Sequence, residues 1–594
     1  MCGFYGLFSK KSLSKKEIVF HRKVADRIKY RGPDFSGEYI SQKKNFYTKH
    51  HRLSIIDLKD NSNQPFKYKN FTIIFNGEIY NYKEIKKKLK RDFLFKTTGD
   101  TEVLLYSWIK WGKKFHKYVD GMYSFVIYDE QDLYLVSDNF SEKPLFYTKI
   151  NNQILFSSEK TILSMQHKLK KNIDSNQINS FLSLGFFPYE FSIHKDLNYL
   201  KPATIIKFDK NLNKKETVYW KKNNKNFFKK NIFGDNDKKK LKNLLIESIK
   251  NRLTADVPVA HFMSSGFDST LIAAICKKEL NYDLKSYTVK TPDNIEEIKH
   301  VKEICSFLKM PNKVVNFNYD KNFNKISKKL LNIFGEPNDN ITTLMFMEMS
   351  KIIKQDGFKV ALCGLGGDEL ILGYNKYSFL KKINKYTLNQ NQILNKLFNT
   401  FKFIIFGELK NKFDKFILPN KFDKFINFRN VENFKNISSS FSHKLKDLDN
   451  DNNILDSMYN FDTNNTLPLS YIKALDLGSM RSSIEVRSPF LNKKLFVFLR
   501  SFKNDVFFKG TNKKIFKDIL LDYLPDNLIP KKKIGFSYPL NNIYKEIDFK
   551  NINESLNNNV IFLKKKDSIK RNDKNFNKII FRLLLLNNFL NEKN

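Results

Sequence analysis

Residues 257–276 read VPVAHFMSSGFDSTLIAAIC. The apolar run VPVAHF has the length of a buried strand, the loop SSGFDS follows it, and TLIAAIC continues as an apolar helix. A strand, loop and helix in this order direct backbone N–H groups and a helix N-terminus at one anion. The loop lacks the GxxxxGK[ST] pattern of a Walker A loop. By itself the stretch could also be a serine-capped helix start that binds nothing.

The residues after 240 repeat this alternation. A second apolar run, FKVALC at 358–363, ends in GLGGDEL at 364–370. Strand-length apolar runs that alternate with helical periodicity predict a parallel α/β sheet. Residues 375–460 are rich in Lys, Phe and Asn with a helical pattern, and the last fifty or so residues are similar. We therefore expect helical additions to the sheet.

The chain before residue 210 has a different pattern. Short apolar runs at 71–75, 124–128 and 133–136 are separated by Gly, Asp and Asn, which predicts a β-rich domain. A polar Lys/Asn-rich stretch then suits a linker. The predicted organisation is a first domain at 2–210, a linker at 211–240 and a second domain at 241–594.

Composition limits the class of protein. The chain has 594 residues, 41% of them hydrophobic, and a net charge of +43. It is too long for one core and too apolar for a disordered chain. The basic residues are spread over the whole chain, which favours a solvated Lys-rich surface over a specific nucleic-acid site. Non-specific attraction to polyanions at low salt remains expected.

Other patterns bear on location. The chain has no stretch of eighteen apolar residues and no basic region before the short apolar run at its start, so we expect neither a membrane span nor a secretory signal. The four cysteines have no CxxC spacing, which disfavours disulfides and zinc. These features predict a cytoplasmic protein.

Cys2 is the first residue after the initiator Met. If Met1 is removed, one residue carries both a thiol and a free α-amine. Their reference pKa values are about 8.5 and about 8, so the amine can take the thiol proton near neutral pH. Alone, a cysteine near a chain terminus could equally be incidental.

Four further clusters accompany Cys2. They are RGPD at 31–34, HRLSIID at 51–57, NGEIYN at 76–81 and TGDTE at 98–102. In this order after an N-terminal cysteine they resemble the glutaminase domain of the N-terminal-nucleophile glutamine amidotransferases. The resemblance implies that Cys2 attacks the side-chain amide of glutamine and releases ammonia.

The resemblance also implies the roles of five other residues. Amide hydrolysis through a thioester needs donors for the developing oxyanion, which the Asn76 side chain and the Gly77 N–H would supply. Arg52 would pair with the glutamine α-carboxylate, a bidentate task that suits arginine. Glu78 and Asp100 would receive the α-ammonium.

The second half carries its own resemblance. The two loops, together with SIEVRSPFL at 483–491 and KKKIGF at 531–536, match the synthetase domain of glutamine-hydrolysing asparagine synthetases, in family order. The first loop resembles the pyrophosphate loop of enzymes that cleave ATP to AMP and pyrophosphate. Lys533 would stabilise charge on an acyl-adenylate. Asp268 and Asp368 would hold Mg²⁺. The implied ATP-binding residues are Ser264, Ser265, Gly266, Asp268, Ser269, Val289 and Gly364, with Glu297 as a weaker inference.

The match to the synthetases is incomplete at several positions. Ser265 stands where the family pattern has the first glycine of the pyrophosphate loop. Leu365 stands where the best-known members have an acidic residue thought to deprotonate the attacking amine. Leu477 and Asn492 also depart from the family pattern, where Arg and Asp are common. Leu365 therefore bears on the identity of the acceptor substrate more than on the adenylation step.

Together the resemblances imply a fold of α+β and α/β type. An N-terminal αββα sandwich glutaminase domain precedes a parallel-sheet α/β nucleotide-binding synthetase domain with helical additions. The implied activity is that of an ATP- and Mg²⁺-dependent asparagine synthetase that takes glutamine, ATP and aspartate, without specific nucleic-acid or membrane partners. Family members are often homodimers.

Three alternatives stay open. One is the same chemistry on another carboxylate, such as a sugar uronic acid in surface-polysaccharide biosynthesis. Another is a catalytically inactive homologue or a polyanion-binding protein, against which the intact Cys2, Arg52, Asn76 and Asp100 argue. The β-lactam-forming relatives are a third, but they typically lack the N-terminal cysteine.

Overall fold

The computed structural model describes residues 2–165, 177–189, 192–194, 196–222, 230–378, 454–508, 513–530, 538–540, 543 and 574–591. Most of the segment 375–460 and the whole motif at 531–536, which includes Lys533, lie outside the described residues.

Antiparallel strands dominate the first half. In chain order they are β1 (Gly3–Ser9), β2 (Phe35–Ile40), β3 (Phe46–Arg52), β4 (Phe66–Tyr68), β5 (Phe71–Ile79), β6 (Gly121–Tyr128), β7 (Leu133–Ser137), β8 (Phe146–Ile150), β9 (Gln153–Ser157), β10 (Leu197–Tyr199), β11 (Thr204–Phe208) and β12 (Lys214–Val218). They form two sheets, with the orders β10-β8-β9-β1-β3-β2 and β12-β11-β7-β6-β5-β4. Strand β12 lies within 211–240, the range predicted as a linker, and the domain boundaries stay predictions.

The helices of the first half pack on these sheets or on other helices. They are α1 (Lys15–Asp26), α2 (Tyr82–Leu89), α3 (Asp100–Trp111), α4 (Lys160–Ser164) and α5 (Ile178–Leu184). Helices α1 and α4 pack on the first sheet, and α3 packs on the second. Strand β1 is buried on both sides because alternate residues face opposite layers. Phe4 and Phe8 lie in the core between the sheets, while Tyr5 and Leu7 face the core beneath α1.

Parallel strands form the core of the second half. They are β13 (Val259–Phe262), β14 (Lys285–Lys290), β15 (Asn312–Asn316), β16 (Val360–Leu362) and β17 (Glu485–Arg487), in the order β15-β14-β13-β16-β17. The chain leaves β13 toward one edge and returns on its other side at β16. The carboxyl ends of β13 and β16 therefore meet where the strand order reverses, the usual place of a ligand in such sheets.

Helices surround this sheet. They are α6 (Asp235–Arg252), α7 (Phe267–Lys278), α8 (Ile295–Phe307), α9 (Phe323–Phe334), α10 (Thr342–Gln355), α11 (Gly367–Ile371), α12 (Ile454–Phe461), α13 (Lys473–Met480), α14 (Lys493–Arg500), α15 (Lys514–Leu520) and α16 (Lys574–Asn591), with a π-helix at Asp462–Ile472. Among the described helices, none is long and apolar enough to cross a membrane. The predicted fold class, αββα layers followed by a parallel α/β sheet with helical additions, is confirmed.

Buried ion pairs join the two halves. The guanidinium of Arg31, in the first half, donates to Glu159 at 3.2 Å and to Asp476 of α13 at 2.9 Å. Glu336 of the second half binds Lys160 of α4 and Lys473 of α13. All of these side chains are almost fully excluded from solvent. The halves therefore meet through a desolvated ionic layer, in which loss of one partner is costly.

Candidate functional site

Cys2 lies immediately before β1 and is buried against β5. Its backbone N–H donates to Asn76 Oδ1 at 3.0 Å. The other end of that amide, Nδ2, is buried and has no hydrogen-bond partner among the described residues. A donor left open beside a nucleophile is what an oxyanion site requires.

Gly77 follows Asn76 in β5 with a φ of +144°, a conformation that favours glycine. A Cβ at this position would lie 2.0 Å from the backbone oxygen of Met122 on the neighbouring strand. The local backbone beside the nucleophile therefore requires glycine. None of the four cysteines, Cys2 included, forms a disulfide.

One small cavity collects the residues predicted to bind glutamine except Asn76, whose side chain accepts the Cys2 backbone N–H. Cys2, Arg52, Gly77, Glu78 and Asp100 all line it. The structure thus brings together residues from three separate sequence clusters. Burial raises the pKa of the Cys2 thiol above its ordinary value, and the charge of Arg52 opposes that rise.

Arg52 is held rigidly at the end of β3. Its Nη1 donates to Lys59 O at 2.9 Å and to Asn63 Oδ1 at 2.8 Å. Its Nη2 donates to the backbone oxygens of Ile56 and Asp57. These acceptors carry no negative charge. The positive charge of the guanidinium is therefore not neutralised by them, and it can attract an anion in the cavity.

Two buried carboxylates face the same cavity. Asp100, at the start of α3, accepts the Ile79 N–H at 2.9 Å, and burial raises its pKa to about 6. Burial, then the neighbouring Glu485 and Asp100, raise the pKa of Glu78 well above its ordinary range, and Arg487 opposes this rise. A bound ammonium would stabilise the charged form of both carboxylates.

The second site starts at the loop after β13. The Gly266 N–H donates to Ser264 Oγ at 3.2 Å, and the hydroxyls of Ser264 and Ser269 lie 2.8 Å apart. Ser265, the departure from the family glycine, turns its Oγ toward Glu297 at 3.3 Å. The bulk of this serine is thereby accommodated beside α8.

The loop after β16 packs directly against the first loop. A Cβ at Gly367 would lie 2.5 Å from the carboxylate carbon of Asp268, and one at Gly364 would lie 2.9 Å from Asp268 Cβ. Glycine at both positions therefore permits the two loops to touch. This contact brings the loop carboxylates Asp268 and Asp368 close to one another.

Lys513 links these carboxylates. Its Nζ lies 2.6 Å from Asp268 Oδ2 and 2.7 Å from Asp368 Oδ1, and the side chain is buried. Sequence reasoning missed this residue. The chain has 105 Lys and Arg residues, and no local pattern distinguishes Lys513 from the others.

A cavity of about 520 Å³ lies between the two loops. Every predicted ATP-binding residue except Ser265 lines this cavity. Leu365 contributes an apolar wall, together with Phe346, Tyr374 and Tyr471.

A family model described as asparagine synthase matches residues 240–578, more than half of the chain. The chain belongs to the asparagine synthase family. A second model, described as a glutamine amidotransferase domain, matches residues 1–220.

Three relatives align with more than half of the length of this asparagine synthase family member. Asparagine synthetase [glutamine-hydrolyzing] 1 of Bacillus subtilis is 28% identical, over 91% of this chain and 87% of its own length. Putative asparagine synthetase [glutamine-hydrolyzing] 2 of Methanocaldococcus jannaschii is 31% identical, over 65% of this chain and 79% of its own. Asparagine synthetase B [glutamine-hydrolyzing] of Escherichia coli is 26% identical, over 63% of this chain and 65% of its own length.

These matches confirm the predicted family. They also confirm an enzyme of the glutamine-hydrolysing asparagine synthase class, in which a glutaminase half precedes a synthetase half. The roles of the individual residues in this asparagine synthase family member stay predictions.

Proposed function

We propose that the protein is a glutamine-dependent asparagine synthetase. Glutamine is hydrolysed at Cys2, and the ammonia amidates aspartate through β-aspartyl-AMP while ATP becomes AMP and pyrophosphate. The observation that carries the proposal is the presence, in one chain, of a thiol cavity and a two-loop nucleotide cavity joined by a buried interface.

The first half supplies ammonia. The Cys2 thiolate attacks the side-chain carbonyl of glutamine. Asn76 Nδ2, which has no partner among the described side chains and backbone groups, stabilises the oxyanion together with the Gly77 N–H. The Cys2 amine carries the thiol proton to the departing ammonia, and water then cleaves the thioester. Arg52 binds the glutamine α-carboxylate, and Glu78 and Asp100 bind its α-ammonium.

The second half activates aspartate. A carboxylate is a poor acyl acceptor until AMP becomes its leaving group. The side-chain carboxylate of aspartate attacks the α-phosphorus of ATP, and pyrophosphate leaves. Ammonia then attacks the activated carbonyl, the C–N bond forms and AMP departs. The first N–H groups of helix α7, which begins within the loop at 264–269, bind the phosphates. Val289 contacts the adenine or ribose, and Lys533 stabilises the charge of the adenylate.

Mg²⁺ fits the two loop carboxylates. Asp268 and Asp368 already hold the cationic Lys513 Nζ between them. The described part of the chain offers no cluster of three or more ligating His, Cys, Asp or Glu side chains. Two carboxylates completed by substrate phosphates are a donor set that Mg²⁺ accepts. The ion would neutralise charge on the departing pyrophosphate.

We also propose a cytoplasmic location, where glutamine, aspartate and ATP are available and free thiols persist. A homodimer is expected by family resemblance alone.

The test is AMP formation by the purified protein, with glutamine or ammonia as nitrogen donor and with aspartate against a panel of uronic acids. We expect AMP and asparagine in equal amounts only with aspartate. Amide formation on a uronic acid without aspartate-dependent AMP would show that aspartate is not the acceptor. The absence of glutamine hydrolysis would overturn the first half of the proposal.

A further inference from the structure

Arg487 belongs to β17 of the synthetase sheet, but its side chain reaches the glutamine cavity of the other half. The side chain is fully buried. Its Nη2 lies 3.7 Å from Glu78 Oε1, and Glu78 lines the cavity that contains Cys2. A cation from one half thus faces a carboxylate in the active cavity of the other.

Fixed acceptors hold this guanidinium in place. Nε donates to Glu485 Oε1 at 2.6 Å, and Nη1 donates to Arg252 O at 2.8 Å and Thr254 O at 2.7 Å. Nη2 makes no hydrogen bond within the described ranges, and Glu78 Oε2 makes none there either. The pair therefore stays aligned while the carboxylate keeps an oxygen for a second cation.

The backbone around Arg487 supports both nucleotide loops. Arg487 O accepts the N–H of Cys363, the residue that links β16 to the second loop. The next residue, Ser488, donates its hydroxyl to Leu365 O within that loop. Thr254, whose oxygen binds Nη1, lies in the segment that leads into β13 and the first loop. The Arg487 side chain thus contacts the glutamine cavity and the support of the first loop, while its backbone and Ser488 support the second loop.

A second contact between the two halves lies near Arg52, at the predicted α-carboxylate end of the glutamine site. The Asp57 N–H donates to Asp256 Oδ2 at 2.8 Å, and the Asp256 N–H donates to Ile55 O at 2.9 Å. The backbone oxygen of Asp57 is itself an acceptor for Arg52. Two of the three predicted anchors of glutamine, Arg52 and Glu78, therefore rest on the synthetase half.

We propose that Arg487 is a positioning residue of the glutaminase site, which holds the Glu78 carboxylate ready for the glutamine α-ammonium and makes glutamine binding depend on the synthetase half. The inference rests on the proposed function, because it takes Glu78 as the ammonium ligand. The charge of Arg487 also counters the rise in the pKa of Glu78 that burial, Glu485 and Asp100 cause.

The test compares two competitive inhibitors of glutamine hydrolysis in the full-length protein. L-glutamate carries the α-ammonium and glutarate lacks it. In the wild type we expect L-glutamate to bind roughly tenfold or more tighter than glutarate, as for one charge-assisted hydrogen bond. In Arg487→Met we expect this ratio to fall to about threefold or less, the KM for glutamine to rise roughly tenfold and kcat to stay within about threefold.

Arg252→Met is the matched control. Arg252 is a buried arginine of the same interface that binds Ser488 O and Leu491 O, and its Cζ lies 4.8 Å from the ring centre of Tyr80, which Arg487 also faces. We expect this variant to keep the inhibitor ratio. Ammonia-dependent asparagine synthesis reports whether each variant is folded.

An inhibitor ratio that Arg487→Met leaves unchanged would overturn the inference while leaving the proposed function intact. If that variant does not fold, Arg487→Lys carries the test, because lysine keeps the charge but loses the fixed geometry. A ratio at least about threefold below the wild-type value supports the inference, and an unchanged ratio rejects it. A wild type without glutaminase activity would instead refute the proposed function.

Discussion

Lys513 Nζ lies 2.6 Å from Asp268 Oδ2, so the carboxylate of the first nucleotide loop is neutralised by a cation from outside both loops. The same ammonium lies 2.7 Å from Asp368 of the second loop. Without it, two carboxylates would face each other across a buried gap, which is unfavourable.

Lys513→Met is therefore expected to block adenylation. We predict that aspartate-dependent pyrophosphate release falls at least about 100-fold, since a fixed charge near the phosphates is lost. Glutamine hydrolysis should be unchanged. Lys514→Met is the matched control, because Lys514 is exposed and pairs only with Asp518 one turn later among the contacts described. Pyrophosphate release at the wild-type rate in Lys513→Met would contradict the prediction.

Asn76→Ala is expected to slow glutamine hydrolysis without weakening glutamine binding. Removal of one oxyanion donor costs about 100- to 1,000-fold in kcat in comparable sites. Steady-state kinetics of glutamate release measures the effect. Asn70→Ala, at an exposed asparagine before the same strand, should change kcat less than about twofold. A higher KM with normal kcat would show that Asn76 holds the substrate instead.

Asp100→Asn is expected to stabilise the protein in a pH-dependent way. Folding raises the pKa of Asp100 from 3.8 to about 6. The contribution of this carboxyl to stability is thus fully present below pH 3.8 and is lost as the pH rises through 6. The asparagine variant avoids that loss, so its melting temperature should exceed that of the wild type at pH 8 but not at pH 4.

Asp92→Asn, which removes the same charge from an exposed pair with Lys110, is the control for this comparison. An equal shift of both variants at both pH values would refute the assignment to Asp100. Glutamine binding should weaken in Asp100→Asn, since a carboxylate predicted to bind the α-ammonium is lost.

Glu336→Gln is expected to destabilise the junction of the halves. The change leaves the buried Lys160 and Lys473 without their shared counter-charge, a loss of about 3–5 kcal/mol in comparable sites. Thermal unfolding should report a clearly lower melting temperature. Glu247→Gln breaks an exposed pair with Lys494 and should cost less than about 1 kcal/mol. Equal effects of the two variants would argue against the buried triad.

The sequence was informative where chemistry is concentrated in short motifs. Asn76, Gly77 and Glu78 are consecutive in β5, where Gly77 and Glu78 line the Cys2 cavity and Asn76 accepts the Cys2 N–H, so a linear pattern predicted a spatial one. The alternation of strands and helices likewise predicted the parallel sheet. Lys513 and the side-chain contacts of Arg487 could not be predicted in this way, because each depends on how distant segments pack.

The Arg31 guanidinium touches Cys2 O, Glu159 and Asp476, and so joins the nucleophile's own backbone to a helix more than four hundred residues away. A gene that encoded only the first half would produce a domain with Arg31 lacking one of its two acidic partners. Exchange of glutaminase halves between distant homologues would therefore require matched changes on both sides of this contact.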